Sequence, residues 1–522
     1  MESNSELKRI KIAGPPGTGK TYRLVNHYLR KELEEYKTPH KEILYVGFSN
    51  ATVDEARARI NKVFPGNEIL VRTLHSFGKR HANLPKDGLL TGSKWKDFAT
   101  RFNWSNINFD GEQDDETGLV RYKDNMMKII EYAKCKCMGI DELGAAAFEL
   151  GKQDSIRNIE RLEQLYQNIE DYKKNYKKYE FSDMIKKFVD DKCTPSLTAI
   201  FVDEAQDLNP LEWSMVKHLE TLVERSYIAG DDDQAIYAFK GGVASTFINM
   251  TGEQDPQVNS NRVPRTVHRE AVKILMNIEE RLPKQWNPRN EEGEVYSNYN
   301  LENIDFNKNN WLLLTRTNKQ QYPIVEYLEN NNQYIESPKA KLLTTRVLRG
   351  WRIWDLLNKG EAIEVEDAKY LYRHFFKVDN GKGEIKQGFA NRKSFDGFEY
   401  VTLQDLKKDH GLKIEGDWRQ LKMDDDQRLH IERLLEKGED LHLNPRIKVS
   451  TIHKMKGGEC DNVIVFTDMT EHIYTQVSKR RSSKDTEHRI WFVAVTRAKQ
   501  RLFYMQIDPL NKYQYIPGKD II

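Results

Sequence analysis

A chain of 522 residues, 31% of them charged and with no long apolar run, is expected to form several water-exposed domains and to cross no membrane. Its 82 Lys and Arg against 80 Asp and Glu leave a net charge of +2, so any basic track for a polyanion must be local. The four cysteines lack the paired spacing of a zinc or iron–sulfur site and read as reduced thiols, and the polar N-terminal segment has no apolar core of a secretory signal, so the expectation is an intracellular protein.

In chain order, residues 9–13 read as a strand feeding a glycine-rich loop, 22–35 as the helix after it, and 42–49, 198–203 and 226–229 as further strands. Strands at 311–315, 447–451, 462–466 and 501–506 suggest a second unit of the same kind. Apolar strands alternating with amphipathic stretches predict an α/β fold with parallel sheets covered by helices on both faces. Two long interruptions, at about 80–194 and 341–445, exceed the ~12–15 residues expected of a structureless loop and read as small inserted domains. Within them, 110–117 and 379–383 read as acidic or glycine-containing loops.

Gly14-Pro-Pro-Gly-Thr-Gly-Lys20-Thr21 is a complete phosphate-binding loop of the form G-x-x-x-x-G-K-[ST]. A backbone wrapped around phosphate needs positive φ and no β-carbon in the way, which Gly14, Gly17 and Gly19 allow. Pro15 and Thr18 complete the loop, Lys20 is placed to reach the β- and γ-phosphates, and Thr21 to ligate Mg²⁺. Far along the chain, an apolar strand runs straight into Asp203-Glu204. Asp203 at a strand end suits the Mg²⁺ shell, and Glu204 the activation of an attacking water. ATP and Mg²⁺ are the implied cofactors.

Further blocks follow in order: Phe48-Ser-Asn-Ala-Thr-Val-Asp-Glu-Ala-Arg57, Thr73-Leu-His-Ser-Phe77, Asp203-Glu-Ala-Gln-Asp207, Gly230-Asp-Asp-Asp-Gln-Ala-Ile-Tyr-Ala-Phe239, Arg262-Val-Pro-Arg265, Leu314-Thr-Arg-Thr-Asn318, Thr451-Ile-His-Lys-Met-Lys-Gly-Gly-Glu459 and Val493-Ala-Val-Thr-Arg-Ala-Lys499. Together with the phosphate loop they resemble the ordered motifs of superfamily 1A helicases, the UvrD/Rep/PcrA group, from Gly14 to Lys499. The resemblance implies two RecA-like domains with ATP in the cleft between them, and two mainly helical accessory domains, 1B and 2B, at the interruptions. The implied division is 1–82 with 196–258 as domain 1A, 83–195 as 1B, 259–340 with 446–522 as 2A, and 341–445 as a shortened 2B.

It further implies an ATP-driven 3′→5′ motor on single-stranded DNA and at single-strand/duplex junctions, acting in repair, replication or recombination as a monomer or weak dimer, and the compact size of the chain suits a bacterial or viral motor. By the same resemblance, Gln234 senses the γ-phosphate, Arg262 and Arg497 are arginine fingers from the opposite domain, and Glu459 approaches the ribose. Phe48, Asn50, His75, Tyr237, Phe239, Arg316 and His453 fall in motifs that line the DNA groove. Taken singly, Phe48 and Tyr237 read as readily as core residues, and His75 and His453 as buried hydrogen-bonding links between the ATP and DNA sites.

The chain departs from the group's pattern at the base-reading positions. No Gln precedes the phosphate loop, Tyr22 stands where an Arg is usual, and Asn261 where a Tyr is usual. These changes imply an inverted adenine sandwich with Tyr22 as its aromatic side. Gly458 replaces a usual Leu. A translocase that strips proteins from single strands without separating duplexes would use the same catalytic residues. Only 23 residues follow Lys499, so no fused nuclease domain is expected.

Overall fold

Runs of buried aliphatic residues build two parallel sheets. The computed structural model describes residues 7–109, 111–113, 120–152, 158–297, 299–377, 383–386, 395 and 397–521. The first six residues, and most of the loops expected at 110–117 and 379–383, fall outside them. Among the described residues no helix is long and apolar enough to cross a membrane.

The first sheet contains β1 (Lys8–Ala13), β2 (Ile43–Val46), β3 (Leu70–Arg72), β4 (Ala199–Val202), β5 (Arg225–Gly230) and β6 (Glu253–Gln254), in spatial order β3-β2-β4-β5-β1-β6. All pairings are parallel, with Lys8 opposite Arg225 through Ala13 opposite Gly230. Strands such as Ile-Leu-Tyr-Val and Ala-Ile-Phe-Val are buried along their whole length, as a sheet covered on both faces requires.

The second sheet contains β7 (Glu294–Ser297), β8 (Trp311–Thr315), β9 (Ile335–Glu336), β10 (Ile447–Thr451), β11 (Cys460–Phe466) and β12 (Ala498–Met505), ordered β7-β12-β11-β8-β10-β9 and again parallel throughout. The mixed α/β architecture therefore agrees with expectation. The sequence reading named no strand at β3, β6, β7 or β9, the outer strands of the two sheets.

Each long interruption folds around its own core. The first packs helices Ser93–Arg101, Asn125–Cys135, Leu143–Glu149 and Ile159–Tyr176 around Trp95, Phe98, Ile130, Leu165 and Ile169. The second packs helices Thr345–Asn358, Val365–His374, Leu403–Lys408 and Asp425–Glu436 around Trp351, Trp354, Leu371, Phe375 and Leu434. Both also carry a two-stranded antiparallel pair, Gly111–Gln113 with Val120–Tyr122 and Ile363–Glu364 with Tyr400–Val401. Helix Asp183–Asp190 instead joins the body of the first sheet, packing Ile185 and Phe188 near Phe77 of helix Leu74–His81.

The functional motifs sit at strand ends. The phosphate loop follows β1, Phe48 follows β2, Asp203 follows β4, and Asp231 follows β5, all at carboxyl ends of the first sheet, where open α/β sheets bind ligands. The second sheet presents Arg316 and His453 just beyond the carboxyl ends of β8 and β10, and Glu459 and Arg497 just before the amino ends of β11 and β12.

Candidate ATP site and nucleic-acid cleft

The phosphate loop takes the conformation its glycines permit, with φ of 75° at Gly17 and 83° at Gly19. The helix after it begins at Lys20, two residues earlier than the apolar pattern indicates, so Lys20 and Thr21 lie in its first turn, where free N–H groups and the helix dipole favour an anion. That helix runs as Lys20–Arg23, a π-helical stretch Leu24–Leu29, then Arg30–Glu34. Thr18 Oγ1 donates to Pro15 O at 2.8 Å and Lys20 Nζ to Gly14 O at 2.8 Å, so the ammonium folds back on the loop's own carbonyl.

Thr21 Oγ1 donates to Asp203 Oδ2 at 2.8 Å, and Tyr45 OH to the same oxygen at 2.9 Å. A hydroxyl and a carboxylate therefore converge beside the phosphate loop, a hard oxygen donor set of the kind Mg²⁺ takes when it is bound through substrate phosphates. Thr21 and Asp203 would hold the ion, which would neutralise phosphate charge. Burial and the neighbouring Glu204 push the Asp203 carboxyl up to about 6. Glu204 goes the other way. Burial alone would raise it, but Lys456, Lys20, Gln206 and Arg497 outweigh that and hold it at about 2, ionised at any working pH. Gln206 Nε2 donates to Glu204 Oε2 at 2.6 Å, and Glu204 itself has φ 55°, a left-handed conformation uncommon outside glycine and frequent at functional sites.

The second lobe reaches into this site at two points. Strand Asn259–Pro264 packs on the phosphate loop so closely that a β-carbon on Gly17 would lie 2.5 Å from Arg262 Cβ. Asn261 N donates to Gly17 O at 2.8 Å, Ser260 Oγ to Pro16 O at 2.9 Å, and Arg262 Nε to Glu459 Oε2 at 2.6 Å. Arg497, only 1% exposed, donates from Nη2 to Gln234 Oε1 at 3.0 Å, from Nη1 to Gly458 O at 3.0 Å and from Nε to Val493 O at 2.8 Å. Burial and Arg262 lower its guanidinium to about 9, which leaves it cationic near neutrality. The carbonyl at position 458 anchors Arg497, a role any residue could fill, and a β-carbon there would meet only the flexible end of Met455, 2.6 Å from Cε. Tyr22 is 63% exposed on the first turn after the loop.

Lys456 is a residue the sequence reading missed. Its ammonium donates to Asp207 and to Gln234 O at 2.7 Å, and lies 3.5 Å from Glu204 Oε2. With Arg497, it is one of two second-lobe cations that keep the proposed base charged, and the larger of the two in effect. The signal was present, because Lys456 lies within the quoted block, but its target is about 250 residues away in sequence.

A cleft of about 860 Å³ runs between the two lobes and the first inserted unit, lined by Tyr237, Phe239, Arg316, His453, Lys136 and Phe148 among others. Phe239 is 42% exposed, edge-on to His453 at 5.5 Å between ring centroids, with Lys240 Nζ 5.6 Å from its centre. Tyr237 and Phe48 are 5% and 9% exposed and pack ring to ring at 4.8 Å, beneath Phe239. These two back the cleft as core residues, and Phe239 exposes its ring to the cleft. Arg316 lines the cleft while paired with Glu487 at 2.8 and 2.9 Å. Asn50 is exposed at the start of helix Asn50–Val63, capped by Ser49.

His75 lies inside the protein and not on the cleft wall. It stacks on Phe181 at 4.5 Å with Nδ1 3.8 Å from Glu212 Oε1, and burial drives its imidazole down to about 3, so it is neutral and offers a phosphate no charge. Burial likewise raises Glu212 to about 7. A carboxyl at about 7 in the native state and near 4.5 in the unfolded chain costs stability as pH rises through that window. Glu212→Gln, which can still accept from Asn209 N, is therefore expected to melt higher than the wild type at pH 8, with the gap shrinking steadily toward pH 5. The full shift corresponds to about 3 kcal/mol as an upper bound. Melting curves of both proteins across that range check it.

One rim of the cleft is tied to the other. Arg480 of the second lobe lies 3.9 Å from the centre of the Phe148 ring, and its Nη1 donates to Glu149 O at 3.2 Å. A β-carbon on Gly151 would sit 2.8 Å from Gln476 Oε1.

The UvrD/REP helicase N-terminal domain model matches residues 2–255, and the UvrD-like helicase C-terminal domain model matches residues 421–508. The putative ATP-dependent DNA helicase YjcD of Bacillus subtilis is 22% identical over 434 residues, covering 65% of this chain and 56% of that protein. A probable DNA helicase II homolog of Mycoplasma genitalium is 20% identical over 61% of this chain and 56% of its own length. ATP-dependent DNA helicase PcrA of Staphylococcus aureus is 31% identical over 107 residues, 19% of this chain and 14% of that protein. The chain thus spans little more than half the length of the first two relatives. Among solved structures, the PRRSV helicase aligns with 99% of this chain and 56% of its own at 10% identity, with a TM-score of 0.33, too low to bear on the fold. With both family models matched in order, and the phosphate loop, paired acids and opposing arginines assembled in one cleft, this chain belongs to the UvrD/Rep/PcrA-like helicases of superfamily 1A.

Proposed function

We propose that this protein is an ATP-driven motor that moves 3′→5′ along single-stranded DNA and separates duplex ahead of it, within DNA repair, replication or recombination. The observation that carries the reading is the Arg497–Gln234 hydrogen bond. It joins the second lobe to the residue beside the first lobe's phosphate site. Closure around ATP and movement of the lobes are then one event. An arginine supplied from the opposite domain stabilises transition-state charge only when the cleft is shut.

The division into 1A (1–82, 196–258), 1B (83–195), 2A (259–340, 446–522) and 2B (341–445) fits two separate insert cores beside two parallel sheets. Lys20, Asp203, Glu204, Gln234, Arg262 and Arg497 carry the ATP chemistry. Phe239 supplies a sequence-tolerant stack worth about 1–3 kcal/mol per base, with Arg316, His453 and Asn50 around it. Single strands and single-strand/duplex junctions are the partners, inside the cell, bound by a monomer or weak dimer.

Tyr22 and Asn261 both stand next to the phosphate loop, which supports the inverted adenine sandwich. Tyr22→Ala is expected to raise KM for ATP several-fold with little change in kcat, and an unchanged KM removes that assignment.

The deciding experiment is ATP-dependent strand displacement on matched duplexes with a 3′ or a 5′ single-stranded tail. Unwinding of the 3′-tailed substrate alone is the expected result. Unwinding of the 5′-tailed one overturns the polarity, and DNA-stimulated ATPase with no unwinding of either makes the protein a translocase.

A further inference from the structure

Three consecutive buried aspartates, Asp231, Asp232 and Asp233, precede Gln234, and ATP chemistry accounts for none of them. Three like charges packed out of water are unfavourable unless cations answer them. The answer comes from the other lobe. Lys284 Nζ lies 2.5 Å from Asp231 Oδ1, 2.5 Å from Asp232 Oδ1 and 2.8 Å from Asp233 Oδ2. Arg281 holds both Asp233 oxygens, at 2.8 and 2.7 Å, and Leu282 N donates to Asp232 Oδ2 at 2.8 Å.

The segment carrying these groups is fixed to its own lobe. Glu279 N and Glu280 N donate to the two oxygens of Asp485, at 3.0 and 2.9 Å, and Arg489 Nη2 donates to Glu280 O. Asp485 and Arg489 lie on helix Arg481–Val495, and Arg497 follows that helix directly. Asp231 divides its carboxylate. Oδ1 takes Lys284, and Oδ2 accepts from Gln234 Nε2 at 2.7 Å. Gln234 Oε1 then accepts from Arg497. The contacts close a ring that crosses the cleft twice: helix, segment 279–284, Asp231, Gln234, Arg497, helix.

We propose that Lys284, supported by Arg281, is a positioning residue for ATP hydrolysis, fixing Asp231 so that Asp231 aims the Gln234 amide at the nucleotide and Arg497. The inference rests on the ATPase reading above. It adds that Gln234 is oriented from the second lobe through an ionic tether as well as through the arginine it bonds. A shift of the lobes is thereby felt at Gln234 from both of its ends.

The test compares full-length Lys284→Met, Lys284→Arg, Gln234→Ala and the Lys284→Met/Gln234→Ala double variant, measuring kcat and KM for ATP with single-stranded DNA present. Lys284→Met is expected to lower kcat about tenfold or more with KM nearly unchanged. Lys284→Arg should recover most of the loss. In the Gln234→Ala background, Lys284→Met should add little, since groups acting as a unit are not additive. If the two losses multiply, or if Lys284→Met raises KM as much as it lowers kcat, the tether does not act through Gln234. Should Lys284→Met fail to fold, Arg281→Gln, at the more exposed end of the tether, replaces it in the same cycle with a smaller expected loss. A wild type with no ATPase at all would instead strike the functional reading on which the cycle depends.

Discussion

Arg497→Ala is expected to lower ATP turnover by about 10³-fold or more, the range over which an opposing arginine acts in phosphoryl transfer. KM for ATP should change far less. The side chain is fully enclosed, and all three of its nitrogens are engaged, by Gln234, Gly458 O, Val493 O and Thr496 Oγ1. Its rotamer is therefore set before nucleotide arrives, and little reorganisation remains for the moment of reaction. Arg497→Lys should rescue poorly, because one ammonium cannot reach the partners that a planar fork meets together. Single-turnover ATP hydrolysis measured beside nucleotide binding separates the two quantities. A variant that bound ATP poorly but hydrolysed it at the normal rate would make Arg497 a binding residue.

Glu204→Gln is expected to retain ATP binding while turnover falls by roughly 10²–10⁴-fold, the range for loss of a positioned general base. The environment is arranged around a carboxylate. Lys456 approaches one oxygen, Gln206 donates to it, and Lys20 and Arg497 add positive potential. Because these groups hold Glu204 at about 2, the base itself sets no acid limb in the pH profile of turnover between pH 5 and 9. The matching signature is an amide variant depressed throughout that range, while an acid limb of the wild type near pH 6 belongs to the Asp203 carboxyl and a fall toward pH 9 to Arg497. Nucleotide-binding fluorescence and steady-state turnover on one preparation check both halves. Near-normal turnover in the variant would move the base elsewhere.

What the sequence made legible follows from the range of the physics involved. The phosphate loop and Asp203-Glu204 are local, since glycines, a helix start and a strand end lie within a few residues of each other. Strand 311–315, Trp-Leu-Leu-Leu-Thr, was placed residue for residue because both faces are buried, which leaves a nearly unbroken apolar run. Strand 447–451, Ile-Lys-Val-Ser-Thr, was legible instead from its β-branched Ile447, Val449 and Thr451, with Lys448 part-exposed. The edge strands β6 and β9 are only two residues long, and β6 is exposed, so they carry no such run. Distant pairings were invisible for a different reason. Lys456 with Asp207 and Lys284 with Asp231 join residues whose types are ordinary alone. His75 shows the converse, a residue in a recognisable block whose burial, not its type, decides its charge.

The Arg480–Phe148 contact has a topological meaning. A strand lying in the cleft is bounded by both lobes, by the first inserted unit, and by the place where that unit meets the second lobe. A linear strand can be threaded through by its end. A closed circle cannot enter until the contact parts. Among the described residues one cation–π pair and one hydrogen bond join this rim, and contacts of about 1–2 kcal/mol in all would leave it parted roughly 3–15% of the time. If single-stranded DNA occupies the cleft as proposed, loading onto circles would be slowed by roughly that fraction, and sideways escape of a strand already inside would be as seldom.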